Sequence, residues 1–238
     1  MKRVLVIAAC LLVFFGSVLW RAPAWPLADL LRSRVAGLQL GAESGSLWQG
    51  EFSYLSYRGL LLRELQWRIQ PLALLRKQPL AIRVADPAEL NAQLGVSDGQ
   101  VLVSALELRG RIAPLLRAVQ MPSMGFDGLI SAEIEQAVIS ADGCQTLVGE
   151  LRVDQLSGDV AGLDALGEIR AELSCDGGAL QLRIDDNNPL RLRGSIVVDA
   201  EGVPRGQLRL SPPAGSELYN SMVQFFGRPR GGDFILRL

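Results

Sequence analysis

Any catalysis by this chain would have to proceed without histidine, because none occurs in its 238 residues. That excludes Ser-His-Asp and Cys-His nucleophilic systems and removes the commonest metal ligand. Asp154, Asp159 and Asp164 recur every five residues, a spacing that could gather carboxylates around a cation. They lack the oxygen-rich loop of a calcium site, and their glycine neighbours mark turns. Asp185-Asp186 would not work as a paired acid and base, since adjacent strand residues point to opposite faces, and Asn187-Asn188-Pro189 behind them reads as a turn. Arg230-Gly231-Gly232 has neither the lysine nor the following helix of a phosphate cradle. Gly-x-Ser-x-Gly is absent. No catalytic, metal-ligating or cofactor-binding residue is assigned, and the chain reads as a non-enzyme.

Cysteine and tryptophan offer the remaining leads. Cys144 and Cys175 would share an oxidising compartment if the body of the chain is exported, and would then form a disulfide. The bridge would close a loop of about thirty residues, worth on the order of 3 kcal/mol in the chain-entropy model. Unpaired, they would be two small apolar core residues. No Cys-x-x-Cys occurs, so zinc and dithiol redox chemistry have no support. Trp48 and Trp67 fit either contact with a partner or lipid, where tryptophan is favoured, or packing in a core.

The elements that would position these residues begin with an uncharged run at residues 4–20, VLVIAACLLVFFGSVLW, between Lys2-Arg3 and Arg21. As a helix it would cover about 26 Å, just short of the roughly 30 Å hydrocarbon core. Trp20 and Trp25 suit a membrane interface. One reading is a retained signal anchor with its short basic start in the cytoplasm. A second is a cleavable signal peptide ending at Ala22-Pro23-Ala24, against which stand the length of the run and Arg21. A third is lipidation at Cys10 after Ile7-Ala8-Ala9, although the hydrophobicity continues past the cysteine. The working organisation is a cytoplasmic stub at 1–3, a transmembrane anchor at 4–25 and an exported β-rich domain at 26–238, with a soft subdivision near 120–126. The chain would be single-pass, with its N-terminus in the cytoplasm and its body outside it.

Beyond the anchor the period is mostly two. Residues 26–36 read as a short helix started by Pro26 and ended by Gly37. Leu65, Trp67 and Ile69 then alternate with Gln66, Arg68 and Gln70, as in a strand wet on one face. Similar alternation runs through Leu80–Val84, through Leu106, Leu108 and Ile112, and through Ile130, Ala132 and Ile134. It recurs at Leu147, Leu151 and Val153, at Ile169, Ala171, Leu173 and Cys175, at Leu180, Leu182 and Ile184, and at Leu190, Leu192, Ile196 and Val198. Leu208 with Leu210, and Phe234, Leu236 and Leu238, complete the series. Asp98-Gly99, Asp142-Gly143, Asp176-Gly177-Gly178 and Glu201-Gly202 supply turns. Leu218, Met222, Phe225 and Phe226 fall on one helical face after Ser216-Glu217. The expected fold is mainly β with few short helices, an open, curved, mostly antiparallel sheet. The net charge of −1 gives no basic surplus for nucleic acid, which is excluded as a partner.

A proline-leucine segment occurs three times: Pro26-Leu27-Ala28-Asp29-Leu30-Leu31-Arg32, Pro71-Leu72-Ala73-Leu74-Leu75-Arg76 and Pro114-Leu115-Leu116-Arg117, at intervals of 45 and 43 residues. These are either units of a strand-turn-helix repeat or the restricted vocabulary of strand-to-helix turns.

The order of features resembles the type II secretion system protein N family over nearly the whole chain. The resemblance is carried by one N-terminal apolar segment with a proline-leucine segment behind it, by Gly45-Ser46-Leu47-Trp48-Gln49-Gly50, and by Leu65-Gln66-Trp67-Arg68-Ile69-Gln70-Pro71. Two exported cysteines and a glycine-punctuated β-rich half complete it. The resemblance implies a non-enzymatic accessory component, in the inner membrane, of the machine that exports folded proteins across the outer membrane. It implies no cofactor, and its partners would be other inner-membrane secretion components. Strands separated by proline-started turns also resemble AsmA-like proteins, in which membrane-anchored sheets hold lipid. That alternative implies phospholipid on an open apolar groove.

Overall fold

The computed structural model describes Ile7, Phe14 and Ser17 and residues 21–57, 59–70, 73, 77–118, 127–158, 167–199, 203–229 and 231–237, with no side chains for 225 and 226. Nearly all of the apolar run, Cys10, residues 71–76 apart from Ala73, residues 120–126, Asp159, Asp164, residues 201–202, Arg230 and Leu238 lie outside the described residues. Among the described residues no helix is long and apolar enough to cross a membrane.

The chain opens with helix α1 (Trp25–Arg34) and the short strands β1 (Gln39–Leu40) and β2 (Glu43–Gly45). Next come β3 (Gln49–Tyr57), β4 (Leu60–Ile69), β5 (Leu80–Val84), β6 (Ala88–Ser97) and β7 (Gln100–Arg111), and then helix α2 (Ile112–Ala118). The long β8 (Asp127–Ser140) and β9 (Gly143–Ser157) precede β10 (Ile169–Asp176), β11 (Ala179–Ile184), β12 (Leu192–Val198) and β13 (Pro204–Leu210). Helix α3 (Glu217–Phe226) and β14 (Phe234–Arg237) close the series. The strands make a single sheet in which β3 to β14 lie side by side in chain order, while β1 and β2 share the outer edge of β3.

Turn chemistry explains this up-and-down path. Asp98-Gly99 joins β6 to β7 with φ of 53° and 76°, and Gly177-Gly178 joins β10 to β11 with φ of 57° and 86°. Two positive φ values in a two-residue loop match the twist of antiparallel strands, and glycine reaches them at least cost. Each strand therefore returns beside its predecessor, and the sheet is open because nothing brings β14 back to β1.

Register sorts the side chains into two faces. Phe52 faces Leu65, Trp67 faces Ile82, Leu106 faces Ile134 and Leu182 faces Ile196 on the apolar side. Three clusters form there. Ala24 and Ala28 at α1 pack with Leu40, Phe52, Leu65, Trp67 and Val84. Leu218 and Met222 of α3 cover Leu190, Leu210 and Phe234. The middle cluster of Val103, Ala137, Leu147 and Leu173 is built from strand residues alone. Ser216 caps α3, its hydroxyl oxygen accepting from the Tyr219 N–H at 3.1 Å. The α2 helix lies at the joint between β7 and β8. Asp127 secures that joint, accepting from the N–H groups of Gly128 at 2.8 Å and Ala113 at 3.3 Å while ion-paired with Arg111.

Cys144 and Cys175 are bonded, with Cα atoms 5.5 Å apart. The bridge clips the β8–β9 hairpin to the β10–β11 hairpin, and the Cys144 N–H donates to the Gly178 carbonyl at 2.8 Å beside it. A sequence separation of 31 corresponds to about 3.5 kcal/mol in the chain-entropy model.

Several expectations change in detail. The alternation reading passes over β6, although Ala88, Leu90, Ala92 and Leu94 alternate with Glu89, Asn91 and Gln93. Two of its inward residues are alanines, so the contrast between faces is weak. Ile112 opens α2 rather than extending β7. Gly143 is the first residue of β9, and Ala141-Asp142 make the turn before it. Asp154 lies within β9, not in a turn. Of the three proline-leucine segments, those at Pro26 and Pro114 are helical.

Candidate functional site

The motif Gly45-Ser46-Leu47-Trp48-Gln49-Gly50 folds as the hairpin between β2 and β3, with Gly45 paired to Gly50. Gly45 has φ of 95°, and a Cβ there would lie 2.5 Å from the Gln49 carbonyl oxygen, so both backbone and space demand glycine. Ser46 closes the tip: its N–H donates to the Gln49 carbonyl at 2.7 Å, and its hydroxyl oxygen accepts from the Gln49 N–H at 3.3 Å. Gly50 serves a different purpose. A Cβ on it would sit 2.3 Å from the Ser44 carbonyl oxygen and 2.5 Å from the Trp67 ring, so the missing side chain lets β2 and the indole approach the backbone of β3.

Trp67 is 4% exposed and stacks on Phe52 with centroids 4.6 Å apart. Its indole N–H donates to the Leu47 carbonyl at 3.3 Å, so a core residue of β4 is bonded to the hairpin tip. The Trp48 carbonyl accepts from the Ile69 N–H at 2.6 Å, fastening the end of β4 to the same tip. The Trp48 side chain is half-buried. Of the two tryptophans singled out by type, Trp67 is thus a core residue and Trp48 lies at a surface corner.

The N-terminal segment reaches this corner. The Leu47 N–H donates to the Ala22 carbonyl at 2.8 Å, and Pro23 forms an antiparallel bridge with Ser46. Ala24 is 3% exposed and Ala28 is fully buried, both in the cluster that holds Trp67. Small residues here let α1 lie close on the sheet, and Leu27 and Leu31 fill the space beside them. Arg32 reaches Glu43 at 3.5 Å. Trp25 and Leu30 face outward, 57% and 53% exposed. Only Arg21 stands between the uncharged run 4–20 and the first residue held by the sheet. The motif is therefore a connector: it clamps the exit of the N-terminal segment to β2, β3 and β4.

With this connector in view, comparison with known proteins decides the family. The model for type II secretion system (T2SS), protein N, matches residues 36–236. The chain belongs to the type II secretion system protein N family. It is 27% identical over 247 aligned positions to the type II secretion system protein N of Aeromonas hydrophila, covering 99% of this chain and 97% of that protein. The corresponding protein of Klebsiella pneumoniae is 30% identical over 197 positions, 80% of this chain and 76% of the relative. No solved structure matches significantly. As a protein N, the chain is an accessory component of type II secretion.

The sheet's other face is polar. Glu107, Glu133, Glu150 and Glu172 lie directly opposite one another on β7 to β10, one acidic row across four strands. Arginines answer part of it. Arg152 donates to Glu150 at 3.0 Å and Arg109 lies 4.0 Å from Glu133, while outside the row Arg170 donates to Glu168 at 2.6 Å. These hydrogen bonds hold both carboxyls below the usual carboxylate range. A depression of 980 Å³ lies over this region, lined in part by Glu133, Glu135, Glu150, Glu172 and Asp185. Among the described residues, no group of three or more acidic or cysteine side chains is arranged to hold a metal. The individual glutamates are legible in the sequence, but their row is not.

Proposed function

We propose that this protein N is a single-pass inner-membrane component whose residues 4–25 span the bilayer and whose body, 26–238, lies in the periplasm. There it assists assembly or stability of the inner-membrane platform for export of folded proteins. The role is non-enzymatic, consistent with a chain lacking histidine. The observation that carries the reading is the connector. The Ala22–Leu47 hydrogen bond and the Pro23–Ser46 bridge begin directly after the apolar run, which supports a sheet that starts at the membrane. An anchor needed only for tethering would tolerate a loose linker. One built into the sheet fixes the orientation in which the sheet meets neighbouring proteins. Trp48 and the outward Trp25 and Leu30 belong to the surface presented closest to the bilayer. The disulfide fits an oxidising periplasm.

The test is affinity purification of the tagged chain from native membranes in mild detergent, with mass spectrometry of what accompanies it. Enrichment of inner-membrane secretion components, and a chain beginning at Met1, are expected. A mature chain starting at Trp25 that purifies free of secretion components would overturn the reading.

A further inference from the structure

The polar face of the sheet has opposite charge in two places. On β7 to β10, Glu107, Glu133, Glu150 and Glu172 stand in one cross-strand row, with Arg109, Arg152 and Arg170 in the next row along and Arg183 of β11 directly opposite Glu172. Like charges directly opposite on a sheet are destabilising. Among the described residues, Arg109 and Arg152 pair with Glu133 and Glu150, while Glu107 and Glu172 have no salt bridge. On β12 to β14 the same face is basic: Arg193 lies opposite Arg209, and Arg237 follows on the terminal strand. Arg193 reaches Asp233 at 3.0 Å, but Arg237 has no salt bridge among the described residues. Among the described residues, only the Lys77-Gln78 segment lies over this face, at Gly95 and Ser104, and the three apolar clusters lie on the other side.

Strand order fixes the distance between the two regions. At about 4.8 Å per strand, the centre of β7–β10 lies about 22 Å from the centre of β12–β14, with β11 midway. A two-fold axis along β11, in the plane of the polar face, would exchange the two regions. It would lay the acidic row of one copy on the basic strands of the other, twice over. We infer that the polar face is a self-complementary docking surface for a second copy of this chain, acidic row to basic strands.

Membrane geometry favours this axis. A rotation about the strand direction leaves that direction unchanged, so both copies keep Ala22 and the hairpin at 46–49 at the same end. Two copies anchored in one bilayer need that arrangement. This parallel placement rests on the anchor proposed above; the charge pairing does not. A closed two-fold contact also limits the assembly to a dimer.

The experiment uses the full chain in detergent, with its mass followed by light scattering over a range of concentration and salt. The wild type is expected to dimerise at low salt and to dissociate as salt screens the contact. Glu133→Arg with Glu172→Arg makes both regions basic, and Arg209→Glu with Arg237→Glu makes both acidic. Each variant alone is expected to lose at least about tenfold in dimer affinity. Mixed in equal amounts, the two are expected to recover a one-to-one heterodimer. Intact disulfide and unchanged circular dichroism show that each variant is folded. The milder Glu133→Gln and Arg209→Gln replace any variant that is not, and should still weaken the dimer. A wild type that stays monomeric at low salt overturns the inference, including when it binds some other basic protein. So does a dimer insensitive to all these changes, as association through the apolar segments would give. Carbonate extraction of the same cells tests the anchor separately: release from the membrane would defeat the anchor and leave the solution dimer to be judged by its own result.

Discussion

Trp67→Ala should be among the most damaging single substitutions at the N-terminal corner. The side chain is 4% exposed, stacks on Phe52, fills the space left by Gly50 and donates to the Leu47 carbonyl. A buried tryptophan removes roughly 150–250 Å² from water. At about 25 cal/mol per Å² that is roughly 4–6 kcal/mol before relaxation. Direct experience with buried aromatic-to-alanine changes, about 3–5 kcal/mol, sets the expected loss near 4 kcal/mol. Trp67→Phe keeps the stack and most of the volume but removes the N–H donor, and should cost less than half as much. Trp25→Ala, at a residue 57% exposed, should change stability by no more than about 0.5 kcal/mol. The assay is urea unfolding of the detergent-solubilised chain followed by circular dichroism, so that loss of the indole does not remove the signal. A Trp67→Ala loss below about 1 kcal/mol, or equal losses at Trp25 and Trp67, would refute the assignment of Trp67 to the core that holds the connector.

Three further outcomes are expected. Cys144→Ser should cost about 3–4 kcal/mol under oxidising conditions and nothing once wild type is reduced; equal differences in both conditions would show that the thiols matter only as packing. Asp127 is held below the usual carboxylate range first by its hydrogen bond to Arg111, so its proton is bound more weakly in the folded chain than in the unfolded one. Its contribution is therefore complete above about pH 4 and fades as pH falls through the lowered value. Glu150, Glu168 and Asp233 act in the same direction. The urea midpoint should drop below pH 4, less steeply in Asp127→Asn than in wild type, and a midpoint that rises on acidification would contradict the assignment. Ser216→Ala removes the cap of α3 and should lower stability by about 1 kcal/mol, with Ser216→Thr near wild type; identical losses for both would point away from capping.

Much of the sheet could be read directly from the sequence. Period-two alternation marks β4, β5, β10 and β11, because each has one face against apolar residues and one in water. Gly177-Gly178 signals its turn because the backbone there requires positive φ at both residues. The pairing of Cys144 with Cys175 was equally accessible, since they are the two cysteines outside the apolar run. The longest strands were less legible. Register shifts opposite Ala105 and at Glu135 and Gln145 exchange which parity faces inward, so β7, β8 and β9 do not keep one alternation throughout. The acidic row lies within the regular stretches of β7 to β10 and emerges only when strands are paired. The connector was half visible. Gly45 and Gly50 stand out as a motif, yet nothing local links Leu47 to Ala22 or to Trp67. Hydrogen bonds across such separations follow from the fold and are not encoded by spacing.

The proposal that the sheet joins an N-terminal anchor without a loose linker predicts that type II secretion depends on the junction at Ala22. A six-residue Gly-Ser insertion between Arg21 and Ala22 tests it in cells that lack the native gene. The measured quantity is the fraction of a type II substrate reaching the medium rather than remaining in the periplasm. With the inserted chain present at wild-type level, its disulfide formed, secretion should fall towards that of the deletion strain. Wild-type secretion by the inserted chain would contradict the claim and reduce the N-terminal segment to a tether.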